Sequence, residues 1–169
     1  GFKDCSLIQR VIESVAKLVN SAHKSYKIRE KMEKIGKFLH SRNVTRWSSQ
    51  YLMIKSVLNF TKEELDNCFD KVNTLTEVQR EVLNEVCMLM EDFAITTTLI
   101  QSDSFSIGYV MPLFKGMTIE LENVRKFKHC EKLRSNLLAS MKKRFQFLEN
   151  NEIFALSADI KAFTTLGTF

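Results

Sequence analysis

The sequence predicts an all-α fold, an irregular bundle of about six or seven helices, and three observations carry that expectation. Apolar residues recur at intervals of three and four along most of the chain. No segment alternates apolar and polar residues between turn signals as a strand would. Gly and Pro together number only six, too few to break the chain into many short pieces. Thirteen Phe and seven Met point to a core filled irregularly rather than by idealised layers. The 169 residues, 44% apolar and 27% charged, suit a single helical domain spanning 1–169. No apolar run approaches the roughly 20 residues that span a bilayer, so no membrane partner is expected. The chain opens on Gly1 without an initiator Met, a signal peptide or a transit peptide, and is read as a fragment of a longer protein.

Between Ser6 and Leu39 nothing breaks a helix except Gly36, and a lone glycine is tolerable inside one. Leu7, Ile8, Val11, Ile12, Val15, Leu18, Val19 and Ala22 form the first stripe. A second helix follows, or the first continues, with Ile28, Met32, Ile35 and Leu39 inward. Lys24, Lys27, Lys31 and Lys34 then project together about a quarter-turn away. That ridge suits sequence-independent, salt-sensitive contacts to phosphate; the plainer alternative is a rim of lysines whose stems cover the core face.

His40 to Asn43 is a polar break. The next helix, capped by Thr45 or Ser48, buries Tyr51, Ile54, Val57 and Leu58, with Leu52 and Met53 widening the stripe. Arg46 and Trp47 fall in its first turn, where a cation opposes the helix dipole. A reason other than helix stability is therefore expected for Arg46, while Trp47, the only tryptophan, reads either as a functional side chain or as a core anchor. Thr61 to Glu64 is a capping box opening a short acidic helix to about Val72, with Leu65, Cys68 and Phe69 inward. Thr76 to Gln79 is a second box, opening a long helix that buries Val78, Val82, Val86, Leu89, Met90 and Phe93. Glu77, Glu81 and Glu85 share one face of it, offset by a basic neighbour or simply solvated.

After a polar linker, a helix is expected over Ile107 to Lys128, with Pro112 in its first turns and Gly108 and Gly116 available for close packing. The last helix runs from His129 to about Glu149, with Cys130, Leu133, Leu137, Met141, Phe145 and Leu148 inward and a basic knot at Lys142, Lys143 and Arg144. The tail from Ile153 to Phe169 has poor periodicity.

Charge is distributed unevenly around a net +5. Residues 1–47 carry eleven Lys/Arg against four Asp/Glu, and residues 61–103 three against ten. Such asymmetry suits a protein that turns one side to an anionic partner, or solvated faces of different helices. Cys5, Cys68, Cys87 and Cys130 are too widely spaced to encode a zinc site or a disulfide framework, and read as buried reduced thiols. No cofactor, metal ligand set or catalytic carboxylate pair is indicated.

The stretch Thr45-Arg46-Trp47-Ser48-Ser49-Gln50-Tyr51-Leu52-Met53-Ile54 resembles the T-R-W-N-S-T-Y-x-M-L signature of the hAT superfamily of DNA transposases and the host proteins derived from them. Three weaker landmarks follow in the family's order. Asp92 to Ile100 resembles P-F-x-x-x-T-x-x-L, Ser106 to Leu113 resembles S-x-x-x-V-x-P-L, and Leu156 to Lys161 stands where the family has L-D-P-R-F-K. The resemblance implies that this chain is the helical insertion domain of an RNase H-like transposase core, whose metal-binding carboxylates lie outside it, so that the chain itself is not an enzyme. It further implies that Arg46 and Trp47 handle DNA, the indole stacking on a base displaced from the duplex and the guanidinium holding its phosphate.

Ser48 and Gln50 depart from the signature, Asp92 replaces a proline, and Ser157, Ala158 and Asp159 replace Asp, Pro and Arg. These departures favour a domesticated, nuclear, transposase-derived protein serving transcription or chromatin control. DNA is its expected partner, with chromatin or transcription proteins beside it and any homo-oligomer formed through regions outside the fragment. The alternatives are the insertion domain of a working transposase and a helical scaffold that binds only protein.

Overall fold

Among the described residues, seven α-helices and one 3-10 turn account for the regular structure and no strand occurs. The computed structural model describes residues 5–43, 47–71, 74–103, 105–123 and 126–149, with the backbone alone for Trp47, Ile107, Leu148 and Glu149. The tail from Ile153 to Phe169, and with it the landmark at Leu156 to Lys161, lies outside them.

Helix α1, Ser6–Lys24, buries Ile8, Val11, Ile12, Val15, Val19 and Ala22; Leu7, at the edge of that stripe, is exposed. The chain then breaks at Ser25, whose backbone is extended and whose hydroxyl accepts the Ile28 N–H at 3.4 Å, so α2, Tyr26–Lys34, is a separate helix. Gly36 does not sit inside it. With φ at +67°, Gly36 ends α2 in a Schellman motif, its N–H bonded to the Glu33 carbonyl and that of Lys37 to the Met32 carbonyl. The expected stripe is cut short as a result: Met32 and Leu39 are buried, but Ile35 is exposed.

Helix α3, Trp47–Leu58, buries Tyr51, Met53, Ile54 and Val57. Ser48 lies within α3 and is not its cap; the other candidate, Thr45, falls outside the described residues. Both expected capping boxes are present. Thr61 and Glu64 exchange side-chain-to-backbone bonds at the start of α4, Lys62–Phe69. Thr76 and Gln79 do so at 2.9 and 3.2 Å at the start of α5, Glu77–Ile100. α4 ends earlier than Val72 because Asp70 takes a left-handed conformation at its C-cap. On α5 the buried residues are Val82, Leu83, Val86, Leu89 and Met90. Val78 is exposed, because the 3.6-residue period places it at the margin of a stripe centred on Val82, Val86 and Leu83.

The 3-10 turn Ile107–Tyr109 leads into α6, Val110–Asn123, which stops five residues short of Lys128; Pro112 occupies its first turn. Gly116 is not a close-packing position, since a Cβ built there meets nothing within 4 Å. Helix α7 is Glu131–Glu149, with Leu133 and Met141 buried and Phe145 half-exposed, its ring 5.4 Å from that of Phe114.

The span read from its length as one domain contains two compact units, with the division inside α5 between Glu91 and Asp92. The first joins residues up to Glu91 with the segment Phe127–Cys130. In it α1 packs on α2 and α3, and α2 on α4. The second comprises Asp92–Lys126 and the chain from Glu131, where α6 packs on α7 and on the 3-10 turn.

The first unit also answers what offsets the three glutamates of α5. Glu77 pairs with Lys62 at 3.3 Å, and Glu81 with Lys128 at 2.9 Å and with the His129 ring at 3.1 Å. Glu85 accepts three consecutive backbone N–H groups, those of Lys128, His129 and Cys130, at 2.8–2.9 Å. A solvated glutamate face was one reading of the sequence. Glu81 and Glu85 instead staple a distant segment onto the helix, while Glu77 stays 72% exposed beside Lys62.

Candidate nucleic-acid interface

The signature on α3 divides into parts with different work. Tyr51, Met53 and Ile54 are its anchors, the last two without any exposed surface. The Tyr51 hydroxyl joins a polar cluster. Lys55 donates to it at 3.0 Å and to Glu91 at 3.2 Å, and the hydroxyl itself donates to Glu91 at 3.3 Å. Burial raises the Tyr51 phenol above its ordinary pKa, and the Tyr51 and Glu91 oxygens hold Lys55 firmly protonated. Ser56, also buried, accepts the His40 N–H at 3.0 Å and donates to the Met53 carbonyl at 2.8 Å, fixing the extended chain after α2 against α3.

Ser49 is a clip. Its hydroxyl accepts the Asn43 N–H and donates to the Asn43 carbonyl, both at 2.8 Å. Six residues apart in sequence, Asn43 and Ser49 are thereby tied together across the positions that include Arg46 and Trp47. Arg46 lies outside the described residues. Trp47 is the first residue of α3, and its side chain lies outside them too.

The four lysines are dispersed relative to their spacing in sequence. Lys24 ends α1, ahead of the break at Ser25, whereas Lys27, Lys31 and Lys34 share α2. The structure brings Lys27 and Lys31 together on Asp70. Lys27 lies 2.9 Å from one carboxylate oxygen, and Lys31 bonds the other while also donating to the Asn67 carbonyl at 2.8 Å. Both ammonium groups, Lys31 foremost, pull the Asp70 carboxyl from its ordinary 3.8 to about 2. Lys34 pairs with Glu30 one turn away, at 2.9 Å. The side chains of Lys27 and Lys34 remain 72% and 69% exposed. Exposed pairs of this kind contribute little and exchange readily for another anion, so the ridge stays accessible to phosphate but meets competition from carboxylates of its own fold.

Sequence reasoning did not single out Asp70. Its position three residues after Asn67, at the end of a helix that packs against α2, is a tertiary fact with no local signal. Arg80 was likewise missed: its guanidinium donates to the carbonyls of Leu58, at 3.2 Å, and Phe60, closing the exit of α3. The basic knot on α7 is partly committed as well, with Lys142 on Glu122 at 2.6 Å and Lys143 and Arg144 exposed.

Among the described residues no group of three or more His, Cys, Asp or Glu is placed to hold a metal ion, and no helix is long and apolar enough to cross a membrane. The four cysteines are free thiols, with Cys5, Cys68 and Cys130 buried and Cys87 half-buried. Comparison with protein-family models, with curated proteins and with solved structures finds no match.

Proposed function

We propose that this chain is the helical domain of a nuclear, domesticated protein derived from a hAT transposase, and that it handles DNA through the start of α3. The observation that carries the reading is the division of labour within the signature. Tyr51, Met53 and Ile54 are buried anchors and Ser49 clips back to Asn43. These account structurally for much of the motif's second half and leave Trp47 as the first residue of an anchored helix, with Arg46 next to it in sequence. Trp47 supplies a stacking face for an unpaired base and Arg46 a bidentate phosphate contact. The exposed lysines of α2, Lys27 and Lys34, with Lys24 and the less exposed Lys31, add sequence-independent attraction. In this reading the domain assists DNA recognition in transcription or chromatin control and contributes no catalytic group.

The test is binding of the chain to duplex and flapped DNA across a salt series, alongside Arg46→Ala and Trp47→Ala variants whose folding is verified by circular dichroism. Micromolar binding that weakens with salt and falls about tenfold or more in each variant supports the reading. Binding indifferent to both substitutions, or none, leaves the signature as a structural relic.

Protein docking is a second reading, and a different observation favours it. In the second unit Ile95, Leu99, Ile100, Tyr109 and Ile119 are all exposed, apolar surface of the kind that marks an interaction site.

A further inference from the structure

The carboxyl-terminal part of α5 and the face of α6 around Gly116 line an open groove of about 300 Å³, wholly within the second unit. Ile95, Leu113 and Met117 give it an apolar lining, and Asp92 and Glu120 add two carboxylates. On α5 the spacing of Asp92, Ile95 and Leu99 places them on one helical face, along which Ile95 is 60% exposed. Neither Asp92 nor Glu120 has an ion-pair or hydrogen-bond partner among the described residues, unlike Glu77, Glu81, Glu85 and Glu91 earlier on the same helix or Glu122 two residues on.

Gly116 is part of this groove's lining. A glycine in a helix interior is unfavourable without a compensating reason. None is present among the described residues, since its backbone conformation is helical and a Cβ there meets nothing within 4 Å. The missing side chain leaves room that no described residue fills.

We propose that this groove docks an amphipathic helix of a partner protein, one presenting large apolar side chains at helical spacing flanked by lysine or arginine. The apolar lining takes the partner's stripe, as other helix-in-groove complexes do, and Gly116 admits a bulky side chain. Asp92 and Glu120 supply the charge complementarity that selects a basic flank and rejects an acidic one. The same carboxylates repel phosphate, so this face is not a continuation of a DNA surface, and the proposal stands apart from the DNA reading.

The test uses two fluorescently labelled designed helical peptides of about 18 residues, five turns long: one with a leucine stripe flanked by lysines, the other with every lysine replaced by glutamate. Fluorescence anisotropy follows their binding to the 169-residue chain, to Gly116→Leu and to the double variant Asp92→Lys/Glu120→Lys. The lysine peptide is expected to bind in the micromolar range, to lose about tenfold or more in affinity for Gly116→Leu, and to yield its preference to the glutamate peptide in the double variant. Gly116→Leu places a strong helix former at an exposed helical position, so its fold is retained; Asp92→Asn, read as a smaller loss of lysine-peptide affinity, replaces the double variant if that one fails to fold. Equal binding of both peptides, no binding by the parent chain, or unchanged binding by Gly116→Leu overturns the proposal. So does a dimer of the parent chain that Gly116→Leu converts to monomer, since the occupant would then be a second copy.

Discussion

The two units use their side chains differently. In the first, Val15, Val19, Met53, Ile54, Val57, Phe60, Leu65, Val82, Leu83 and Val86 have no exposed surface at all. Its charged groups are spent on the fold's own backbone: Glu85 on three N–H groups, Arg80 on two carbonyls, Lys37 on the Asn59 carbonyl and on Glu64. In the second unit the described core is thinner: Met111, Phe114, Leu121, Leu133 and Met141 are buried, Leu133 alone of these fully enclosed, and large apolar residues such as Ile95 and Ile119 stay at the surface. The first unit leaves Tyr26, Phe38 and Met88 at the surface too; what sets the second apart is a thinner core beside the unpaired carboxylates Asp92 and Glu120, a combination with capacity for a partner.

The largest effects should expose this difference as stability. Phe60→Ala empties a fully buried site and is expected to cost about 3–5 kcal/mol, whereas Phe114→Ala, at a site that is not fully enclosed, should cost visibly less; urea unfolding of both variants measures the gap. Equal losses would erase the distinction between a closed and an open core. Glu85→Ala removes three charge-assisted bonds from one carboxylate and should cost about 2–3 kcal/mol. It carries a second readout. Burial, with the Glu85 carboxylate beside it, pushes the Cys130 thiol up to about 12, so Cys130 is expected to resist alkylation in the parent chain, and loosening the staple should speed its labelling at neutral pH.

Smaller effects separate two glycines. Gly36→Ala forces a side chain into the left-handed region and should destabilise by about 1–2 kcal/mol. Gly116→Ala meets no neighbour and should stabilise by up to about 1 kcal/mol. Thermal melts of the pair would show opposite shifts, and a destabilised Gly116→Ala would contradict the open space inferred at α6. The smallest effect concerns pH. Asp70 has its folded-state value lowered from 3.8 to about 2, so its contribution is present above about pH 4 and is lost as pH falls through about 2. Asp70→Asn should flatten that part of the acid-unfolding profile. It also releases Lys27 and Lys31, and should raise DNA affinity if the ridge takes phosphate.

Elements with a local chemical signature were legible in the sequence, and their ends were not. Both capping boxes could be read directly, because each is made between residues three apart. The buried faces of α1 and α4 followed from periodicity. Gly36 was misjudged because residue type alone does not separate a glycine tolerated in a helix from one that ends it; the difference lies in a positive φ and the two bonds of the Schellman motif. Val78 gave way to Leu83 because a one-sided stripe has soft margins that tertiary packing decides. At the candidate interface, the lysines were visible and their partner was not. Asp70 meets Lys31 across 39 residues, and no spacing rule carries information over that interval. The groove was invisible for the same reason, since it exists only where residues from α5 and α6 line one cleft.

The central claim, that the start of α3 handles DNA, has a built-in reporter, because Trp47 is the only tryptophan in the chain. The measurement is its fluorescence during titration with flapped DNA, repeated with fully paired duplex of the same length. The account predicts quenching by stacking with the flapped substrate, stronger than with duplex and reversed by added salt. Emission that stays unchanged while the DNA demonstrably binds would contradict it, and would move the DNA contact away from the signature.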